Sequence, residues 1–372
     1  MDSSVRSWVF TKLPFPQALE LVQRPAPETV EPTQIAVKVV AAALNPVDGQ
    51  VCALKASKSA DGESLAAPAS LASDFAGTVV AVGDGVDKWQ VGDQVMGLTF
   101  EMEPKTPFGG SLGTLAVIDI NSSCITRKPA ALGWNEAAGL PLVALTAKTT
   151  LSEPLLRLPP TREADAQEPP TVVVLGGSSG VGQCCVQLGK AAGLRIVATC
   201  SAASEPFVRS LGADEVIDYT AGSVLESLRA VRPANGFVSI VDCVGGTELL
   251  DALPSLLTPK SPSSFPHGGS YTTIVGDKTD RSTMGGAFLL GVDRTMRERQ
   301  DASDAGSLAY RYACILLDMN AAWLDDLAAQ AASGALKVSV DSTFGFERAR
   351  EAYERLATGR ARGKVVVEVQ DA

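Results

Sequence analysis

Histidine is almost absent from this sequence, and the only one is His267. It lies in Lys260–Gly269, a segment rich in proline, serine and glycine, where we expect a solvated side chain. The chain has seven cysteines but no Cys-x-x-Cys motif, and several stand in apolar stretches, as reduced and buried thiols do. They are Cys52, Cys124, Cys184, Cys185, Cys200, Cys243 and Cys314. These shortages leave almost no material for a histidine-based metal site or catalytic dyad, and we expect no bound metal.

An excess of positive charge and long apolar runs are also missing. The chain has 32 lysines and arginines against 42 aspartates and glutamates, a formal net charge of −10, which disfavours nucleic acid and acidic membranes as partners. No apolar run is long enough to span a membrane, and Met1–Arg6 lacks the hydrophobic core of a signal peptide. With 372 residues, 45% of them hydrophobic, the chain can fill the cores of two domains. We therefore expect a cytoplasmic protein of two domains.

What the sequence does contain is a glycine-rich turn directly after an apolar stretch. Thr171–Leu175 is short and rich in β-branched residues, which is typical of a buried parallel strand, and helical spacing follows. A strand, a glycine turn and a helix in this order can bind a pyrophosphate, because free N–H groups at the helix N-terminus favour negative charge. The candidate contacts are Gly177, Ser178, Ser179, Gly180, Val181 and Gly182. Ser179 stands at the usual second glycine of Gly-x-Gly-x-x-Gly, so the turn alone is weak evidence.

Four further strands are predicted after this turn, within 194–200, 210–219, 237–246 and 270–276. Strands that alternate with helices at this spacing predict an α/β fold with a doubly wound parallel sheet, the Rossmann arrangement. Nucleotides bind at the carboxyl ends of such strands. The residues there that we assign to the cofactor are Ser201, Tyr219, Val244 and Val275.

The cofactor predicted from these strands is NADP(H) rather than NAD(H). An aspartate or glutamate at the end of the second strand would bind the ribose 2′-hydroxyl, but this chain has Thr199–Ser201 there. Without that carboxylate a 2′-phosphate is not repelled, and Ser201 can donate a hydrogen bond to it. Arg209 and Tyr219 are further candidates for this pocket, although a solvated helix face and a strand-end aromatic explain them equally well.

The region before the glycine turn has another pattern. Short strands, predicted at 34–40, 77–83 and 91–97, alternate with turns that contain glycine and aspartate, as in a β-barrel. Near the end of the chain, strands at 338–341 and 363–369 flank a helix at 347–356, and we expect this pair to return to the first domain. The predicted domains are residues 1–145 with 316–372, and residues 146–315. Segments 152–170 and 260–269 have the composition of insertions.

Several motifs in this order resemble the medium-chain dehydrogenase/reductase superfamily. They are Ala43–Asp48, Asp74–Gly83, Val91–Val95, Leu145–Ala147 and the glycine turn. The resemblance implies a GroES-like catalytic domain beside the Rossmann domain. Zinc alcohol dehydrogenases of this superfamily have a cysteine where Asn45 stands and a histidine where Ser73 stands, so the chain is similar to the zinc-free quinone oxidoreductase and enoyl reductase branch. The likeness is strongest to fungal enoyl reductases that act in trans on polyketide synthases.

The resemblance also implies how the two sites are built. NADPH would bind with Ser201 and Tyr219 around its 2′-phosphate, although a lysine common two residues after that serine is Ala203 here. The implied catalytic-site residues are Asn45, Asp48, Gln50 and Thr146. Relatives often have a lysine where Gln50 stands, and a glutamine cannot carry a proton at neutral pH as an ammonium can.

Two functions stay open at this point. In the first, NADPH delivers hydride to an activated alkene, either an acyl chain carried by a polyketide synthase or a free quinone or enone, and a donor protonates the resulting enolate. In the second, the protein binds NADP(H) without turnover as an accessory partner, and Gln50 marks lost chemistry. Asp48 is explained equally well as a catalytic residue and as a turn cap.

Overall fold

The structure is a computed structural model that describes residues 4–99, 107–152, 169–261, 265–277 and 294–371. Most of the predicted insertion at 152–170 lies outside the described residues, and so do residues 262–264 of the segment at 260–269.

The first part of the chain is mostly strands, and strands and helices alternate more regularly from β9 onward. The strands are β1 (Ser4–Lys12), β2 (Leu19–Pro25), β3 (Gln34–Leu44), β4 (Ser64–Ser70), β5 (Asp74–Val82), β6 (Gln94–Thr99), β7 (Leu115–Asp119), β8 (Ser123–Arg127), β9 (Thr171–Leu175), β10 (Arg195–Cys200), β11 (Glu215–Asp218), β12 (Ser239–Asp242), β13 (Ser270–Thr273), β14 (Arg311–Cys314), β15 (Val340–Gly345) and β16 (Lys364–Glu368). The α-helices are α1 (Pro46–Ser57), α2 (Trp134–Gly139), α3 (Pro141–Thr150), α4 (Gly180–Ala191), α5 (Glu205–Ser210), α6 (Val224–Val231), α7 (Leu253–Leu256), α8 (Arg294–Asp304), α9 (Ala321–Ala332) and α10 (Ala349–Ala357).

The chain divides into two compact units. The first contains Met1–Leu145 and Met319–Ala372, and the second contains Thr146–Asp318. The sequence analysis predicted that the chain returns to the first unit at residue 316, and the structure places this return at Met319.

The first unit is built on a seven-stranded sheet in the order β15-β16-β3-β5-β6-β8, with β7 also paired to β3. A three-stranded sheet in the order β2-β1-β4 completes its strands. Strand β3 is a nearly continuous apolar run because it has strand partners on both sides and is buried at almost every position. Strand β16 runs antiparallel to it, with Val366 opposite Ala43, so the predicted return of the last strands to the first unit is confirmed.

The second unit contains a six-stranded parallel sheet in the order β11-β10-β9-β12-β13-β14. Counted from β9, this is the order third, second, first, fourth, fifth, sixth, which is that of a doubly wound dinucleotide-binding sheet. The predicted fold class is confirmed. Strand β14 was not predicted, because Arg311–Cys314 is only four residues long and periodicity does not tell whether the short apolar run Tyr312–Leu317 is a strand or a buried helix segment.

Several predicted boundaries in the first unit were wrong: the strand predicted at 34–40 continues to Leu44, and the one predicted at 338–341 is Val340–Gly345. The strand predicted at 91–97 begins at Gln94, because Gly92 has a φ of +94° and the Asp93 carboxylate accepts the Gln90 N–H at 3.0 Å, so these residues form a turn. The strand predicted at 77–83 already begins at Asp74, and this earlier start brings the Asp74 side chain into the sheet.

Candidate active site

The glycine turn joins β9 to α4 in the second unit. Ser179 is the N-cap of α4, and its hydroxyl accepts the Gly182 N–H at 3.0 Å. A Cβ at Gly182 would lie 2.1 Å from the carbonyl oxygen of Gly176, and a Cβ at Gly177 would lie 2.9 Å from the Cβ of Ala198. Glycine is therefore required at both positions for the turn to close and for α4 to pack on the sheet. This tight turn, with the helix N-terminus behind it, fits the pyrophosphate of a dinucleotide.

The other predicted cofactor residues lie at the same edge of the sheet. Ser201, Tyr219, Val244 and Val275 each follow the carboxyl end of a strand by one or two residues, and these strands are the neighbours β10, β11, β12 and β13. Tyr219 is 55% exposed and Val244 is 40% exposed, which is unusual for large apolar side chains. Exposed apolar side chains at the nucleotide edge of a Rossmann sheet are suited to packing against the rings of a bound dinucleotide.

Arg209 does not lie at this edge. Its guanidinium donates to the Glu205 carboxylate at 2.8 Å and to the carbonyl oxygen of Asp214 at 3.4 Å. Asp214 precedes β11, whereas Tyr219 follows it, so Arg209 is held at the opposite end of this strand. The Ser201 hydroxyl donates to the hydroxyl of Ser204 at 3.4 Å. Of the two further candidates for the 2′-phosphate pocket, only Tyr219 is placed at the right end.

Sequence reasoning missed a carboxylate at the same edge. Asp218 is the last residue of β11 and lies opposite Cys200 in the register of β10. Its side chain accepts hydrogen bonds from the hydroxyl and N–H of Thr220, at 2.7 and 2.9 Å, and from the N–H of Ala202, and these bonds hold the pKa of Asp218 below its usual value. The sequence argument considered a carboxylate only at the end of β10, whereas Asp218 ends the neighbouring strand β11.

A buried carboxyl group organises the loops that follow β12 and β13. Asp242 is fully buried, and its oxygens accept hydrogen bonds from the Val244 N–H at 2.9 Å, the Tyr271 hydroxyl at 3.0 Å and the Thr273 hydroxyl at 2.9 Å. Thr273 in turn accepts the Val275 N–H at 3.2 Å. Burial raises the pKa of Asp242, and these hydrogen bonds oppose that rise. Asp242 thus fixes Val244 directly and Val275 through Thr273.

The first unit contains a buried polar cluster, which we call the Asn45 cluster: Asn45, Asp48, Asp74, Tyr353 and Lys364. The Lys364 ammonium donates to the Asn45 side-chain oxygen at 2.5 Å and to the Asp74 carboxylate at 3.1 Å. The Asn45 amide nitrogen donates to the same Asp74 oxygen at 2.9 Å. The side chains of Lys364 and Asp74 are 2% and 0% exposed, so this ion pair is removed from water. Three groups therefore hold one another in a closed triangle.

Asp48 joins this cluster from the first turn of α1. One of its carboxylate oxygens, Oδ2, accepts the Asn45 backbone N–H at 2.8 Å and the Tyr353 hydroxyl at 3.1 Å. Burial raises the pKa of Asp48 to about 7, against the opposing effects of these hydrogen bonds and of the Lys364 charge. Asp48 caps the turn, as one interpretation of the sequence held, and burial brings its pKa close to neutral.

Asn45 occupies the N-cap of α1 without capping it through its side chain. Asparagine at an N-cap usually accepts an N–H of the first turn, and here its oxygen accepts from Lys364 instead. The chain gives up a local helix contact at the point where the Asn45 cluster is built, a pattern expected at functional sites.

Three other residues of the sequence analysis are buried as well. Gln50 lies on α1 and is 6% exposed, and its amide makes no hydrogen bond to the part of the chain that the structure describes. Ser73 is 8% exposed and directly precedes β5. Thr146 is 6% exposed on α3 and belongs to the second unit.

Sequence reasoning found Asn45 and Asp48 but missed Asp74 as a polar partner, Tyr353 and Lys364. Lys364 is 319 positions from Asn45 and Tyr353 is 305 positions from Asp48. The one available signal was a lysine at the start of an otherwise apolar strand, Lys364–Glu368, which looks like an ordinary exposed strand end.

Within the described ranges, no helix combines the length and the apolar character that a membrane crossing requires.

Comparisons with known proteins agree with this architecture. Residues 31–118 match the family described as alcohol dehydrogenase GroES-like domain, and residues 211–367 match the family described as zinc-binding dehydrogenase. The quinone oxidoreductase from Coxiella burnetii has a similar structure, with a TM-score of 0.74 at 24% identity over 99% of this chain and 100% of that one. This likeness shows a shared fold.

Two sequence relatives differ in how much of the chain they match. NAD(P)H oxidoreductase RTN4IP1, mitochondrial, from Danio rerio is 30% identical over 385 residues, which is 98% of this chain and 91% of the relative. The enoyl reductase component lovC of the lovastatin nonaketide synthase from Aspergillus terreus is 35% identical over 222 residues, covering 58% of this chain and 57% of the relative. The second match has the higher sequence identity but covers little more than half of this chain.

Asn45 and Ser73, which stand where zinc enzymes of this superfamily have metal ligands, do not fit zinc, which one of these family descriptions names. The Asn45 oxygen already accepts from a buried ammonium, and a second cation at that oxygen would meet strong repulsion. Neither the amide of Asn45 nor the hydroxyl of Ser73 belongs to the usual zinc ligands, which are thiolate, imidazole and carboxylate groups. Across the described residues, no group of three or more histidine, cysteine, aspartate or glutamate side chains is arranged to hold a metal ion.

Proposed function

This chain belongs to the medium-chain dehydrogenase/reductase superfamily and is an NAD(P)H oxidoreductase, and on that premise we propose that it reduces carbon–carbon double bonds conjugated to a carbonyl group, with NADPH as its cofactor. The relative from Danio rerio, matched over nearly the whole chain, is named an NAD(P)H oxidoreductase. The partial match to lovC supports an enoyl group as the reduced substrate.

The second unit supplies the cofactor site. The turn from Gly177 to Gly182 would hold the pyrophosphate, Ser201 and Tyr219 the adenosine end, and Val244 and Val275 the nicotinamide end. When bound, NADPH supplies the hydride that the β-carbon of the alkene receives. Asp242 keeps the Val244 and Val275 loops in place, so the cofactor edge is ordered by buried hydrogen bonds.

The first unit supplies the proton. Hydride addition at the β-carbon leaves an enolate, which needs one proton at the α-carbon. Asp48 is the donor that we assign in the Asn45 cluster, because burial raises its pKa to about 7. Its Oδ2 is occupied by two donors, which leaves Oδ1 to carry the proton. This buried, half-occupied carboxyl group is the observation that carries the proposal.

Gln50 takes the place of the lysine found in similar enzymes. Its amide makes no hydrogen bond to the described residues, so it is available to donate a neutral hydrogen bond to the substrate carbonyl. Such a bond polarises the alkene and stabilises the enolate without adding a charge.

We further propose an acyl thioester, delivered by a polyketide synthase, as the natural substrate class. The support is the match to lovC, whose name gives it as the enoyl reductase component of a synthase. Free enones and quinones are the second candidate class, because the chain has the fold of a quinone oxidoreductase.

A substrate panel tests the proposal. The protein is mixed with NADPH and with α,β-unsaturated thioesters, enones or quinones, and NADPH oxidation and products are followed. We expect saturated thioesters, formed faster from acyl chains on a carrier domain than from free thioesters. Turnover of quinones alone would make it a quinone reductase, and binding of NADPH without turnover on any of them would make it an accessory protein.

A further inference from the structure

We propose that Lys364 is a positioning residue for the protonation step: its buried ammonium holds the Asn45 side chain and, through Asn45, the carboxyl group of Asp48. The inference rests on the proposed function for its catalytic consequence, and on contacts within the first unit for its geometry. Lys364 comes from β16, at the far end of the chain from α1.

The chain of contacts is continuous. The Lys364 ammonium fixes the Asn45 side-chain oxygen at 2.5 Å, and Asp74 fixes the Asn45 amide nitrogen at 2.9 Å, so the amide has a single orientation. The backbone N–H of the same Asn45 donates to Asp48 at 2.8 Å. Removing the ammonium frees one end of the Asn45 side chain and loosens the residue that aligns the acid.

The position of Lys364 is built into the fold. A Cβ at Gly139 of α2 would lie 3.4 Å from the Lys364 Cγ, so the glycine lets the lysine stem pack closely against this helix. Asp74 is held from a further direction, since its other carboxylate oxygen accepts the Leu142 N–H at 2.9 Å. A charged pair buried this completely is costly unless its geometry is good, and here each partner has further hydrogen bonds.

The charges around Asp48 determine what the loss of Lys364 does to it. The groups that face Asp48 are Lys364 on β16, Asp74 on β5, Tyr353 on α10 and Cys52 on α1. Lys364 lowers the pKa of Asp48 and Asp74 raises it, and the effect of Lys364 is the larger. A variant that lacks both charges should therefore hold the Asp48 proton to higher pH.

The test compares two double variants with the single variant Lys364→Met. The single variant leaves Asp74 buried without a counter-charge and should lower the melting temperature. Lys364→Met/Asp74→Asn removes both charges and should recover most of the lost melting temperature. As a matched control, Lys190→Met/Asp214→Asn removes an ion pair, 2.5 Å long, that contacts neither Asn45 nor Asp48.

For Lys364→Met/Asp74→Asn we expect kcat to fall by about tenfold or more, because a misplaced reacting group is costly. We also expect the alkaline limb of the pH–rate profile to move to higher pH, with KM for NADPH unchanged. The control should match the wild-type protein in kcat, in its pH–rate profile and in KM for NADPH. A Lys364→Met/Asp74→Asn variant with wild-type kcat and pH profile would show that Lys364 only neutralises Asp74, and would overturn the proposal.

A titration that needs no turnover separates this proposal from the proposed function. The carboxyl ¹³C signal of Asp48, assigned by its loss in Asp48→Asn, is followed against pH in the wild-type protein and in Lys364→Met/Asp74→Asn. We expect the pKa of Asp48 to rise in the variant. An unchanged pKa would overturn the proposal even in an active enzyme, whereas failure of the proposed function appears as a wild-type protein that oxidises no NADPH.

Discussion

At the scale of single residues, the proposed function gives Asp48 a chemical role in addition to its structural role in the turn. Asp48→Asn keeps an oxygen that can accept from Asn45 and Tyr353, so the turn should persist, but it removes the exchangeable proton. We expect kcat to fall by about 10²-fold or more, the usual contribution of a positioned acid, with KM for NADPH unchanged.

The pH dependence of the wild-type protein follows from the same group. Only the protonated acid is active, and burial raises the pKa of Asp48 to about 7, so kcat should be constant at lower pH and decline as pH rises through about 7. In Asp48→Asn this decline should disappear. If the variant keeps both wild-type kcat and the alkaline decline, water or the substrate supplies the proton instead.

Gln50 tests the contribution of charge at the other catalytic position. Gln50→Lys adds a cation where similar enzymes carry one, and it should raise kcat or alter the protonation step because an ammonium stabilises an enolate in a poorly hydrated site. Gln50→Ala should lower kcat/KM by a few-fold to about tenfold, the value of one neutral hydrogen bond. Steady-state kinetics on one reactive alkene measures both, and a far larger loss in Gln50→Ala would show a direct role beyond carbonyl binding.

Ser201 decides the predicted preference for NADPH over NADH. We expect a preference of about tenfold or more from a hydrogen bond to the phosphate. Ser201→Asp should reverse it, because the new carboxylate would repel the 2′-phosphate. Calorimetric titration of both cofactors checks this, and equal affinities in the wild-type protein would contradict it.

At the scale of elements, the turn between β9 and α4 has no space for a side chain at Gly182. A Cβ at Gly182 would lie 2.1 Å from a backbone oxygen that cannot move without opening the turn. Gly182→Ala should weaken NADPH binding by about tenfold or more, a loss of roughly 1.4 kcal/mol, and lower the melting temperature.

The control for this prediction is Gly345→Ala, because nothing lies within 4 Å of a Cβ at Gly345 and this residue belongs to the first unit. It should leave both quantities unchanged. Wild-type NADPH affinity in Gly182→Ala, measured by fluorescence titration, would show that the turn does not hold the cofactor.

The strands also show how much secondary structure short sequence patterns can predict. Thr171–Leu175 was predicted with its observed bounds, because a short apolar run between polar turns has few alternatives. Strand β14 was missed because periodicity does not assign the short apolar run Tyr312–Leu317 to a strand or a helix, and pairing with β13 defines Arg311–Cys314. The sequence could not decide whether Arg209 contacts the cofactor, because sequence spacing does not tell which end of a strand a helix residue reaches.

At the scale of the whole molecule, the order of motifs was enough to predict two domains and the return of the last strands to the first. The Asn45 cluster was only half predictable. Asn45 and Asp48 belong to one local motif, whereas Lys364 reaches them only because β16 pairs with β3, and no periodicity in the sequence reports that pairing. Contacts between strands that are distant in sequence depend on the complete fold.

The central claim is that hydride goes to the β-carbon and a proton to the α-carbon of an activated alkene. It is tested most directly with NADPH that carries deuterium at the transferable position of its nicotinamide ring, an α,β-unsaturated thioester, and product analysis by mass spectrometry and NMR. We predict a saturated thioester with one deuterium at the β-carbon and a solvent-derived hydrogen at the α-carbon. Unchanged alkene, or deuterium at the carbonyl carbon of an alcohol product, would contradict the account.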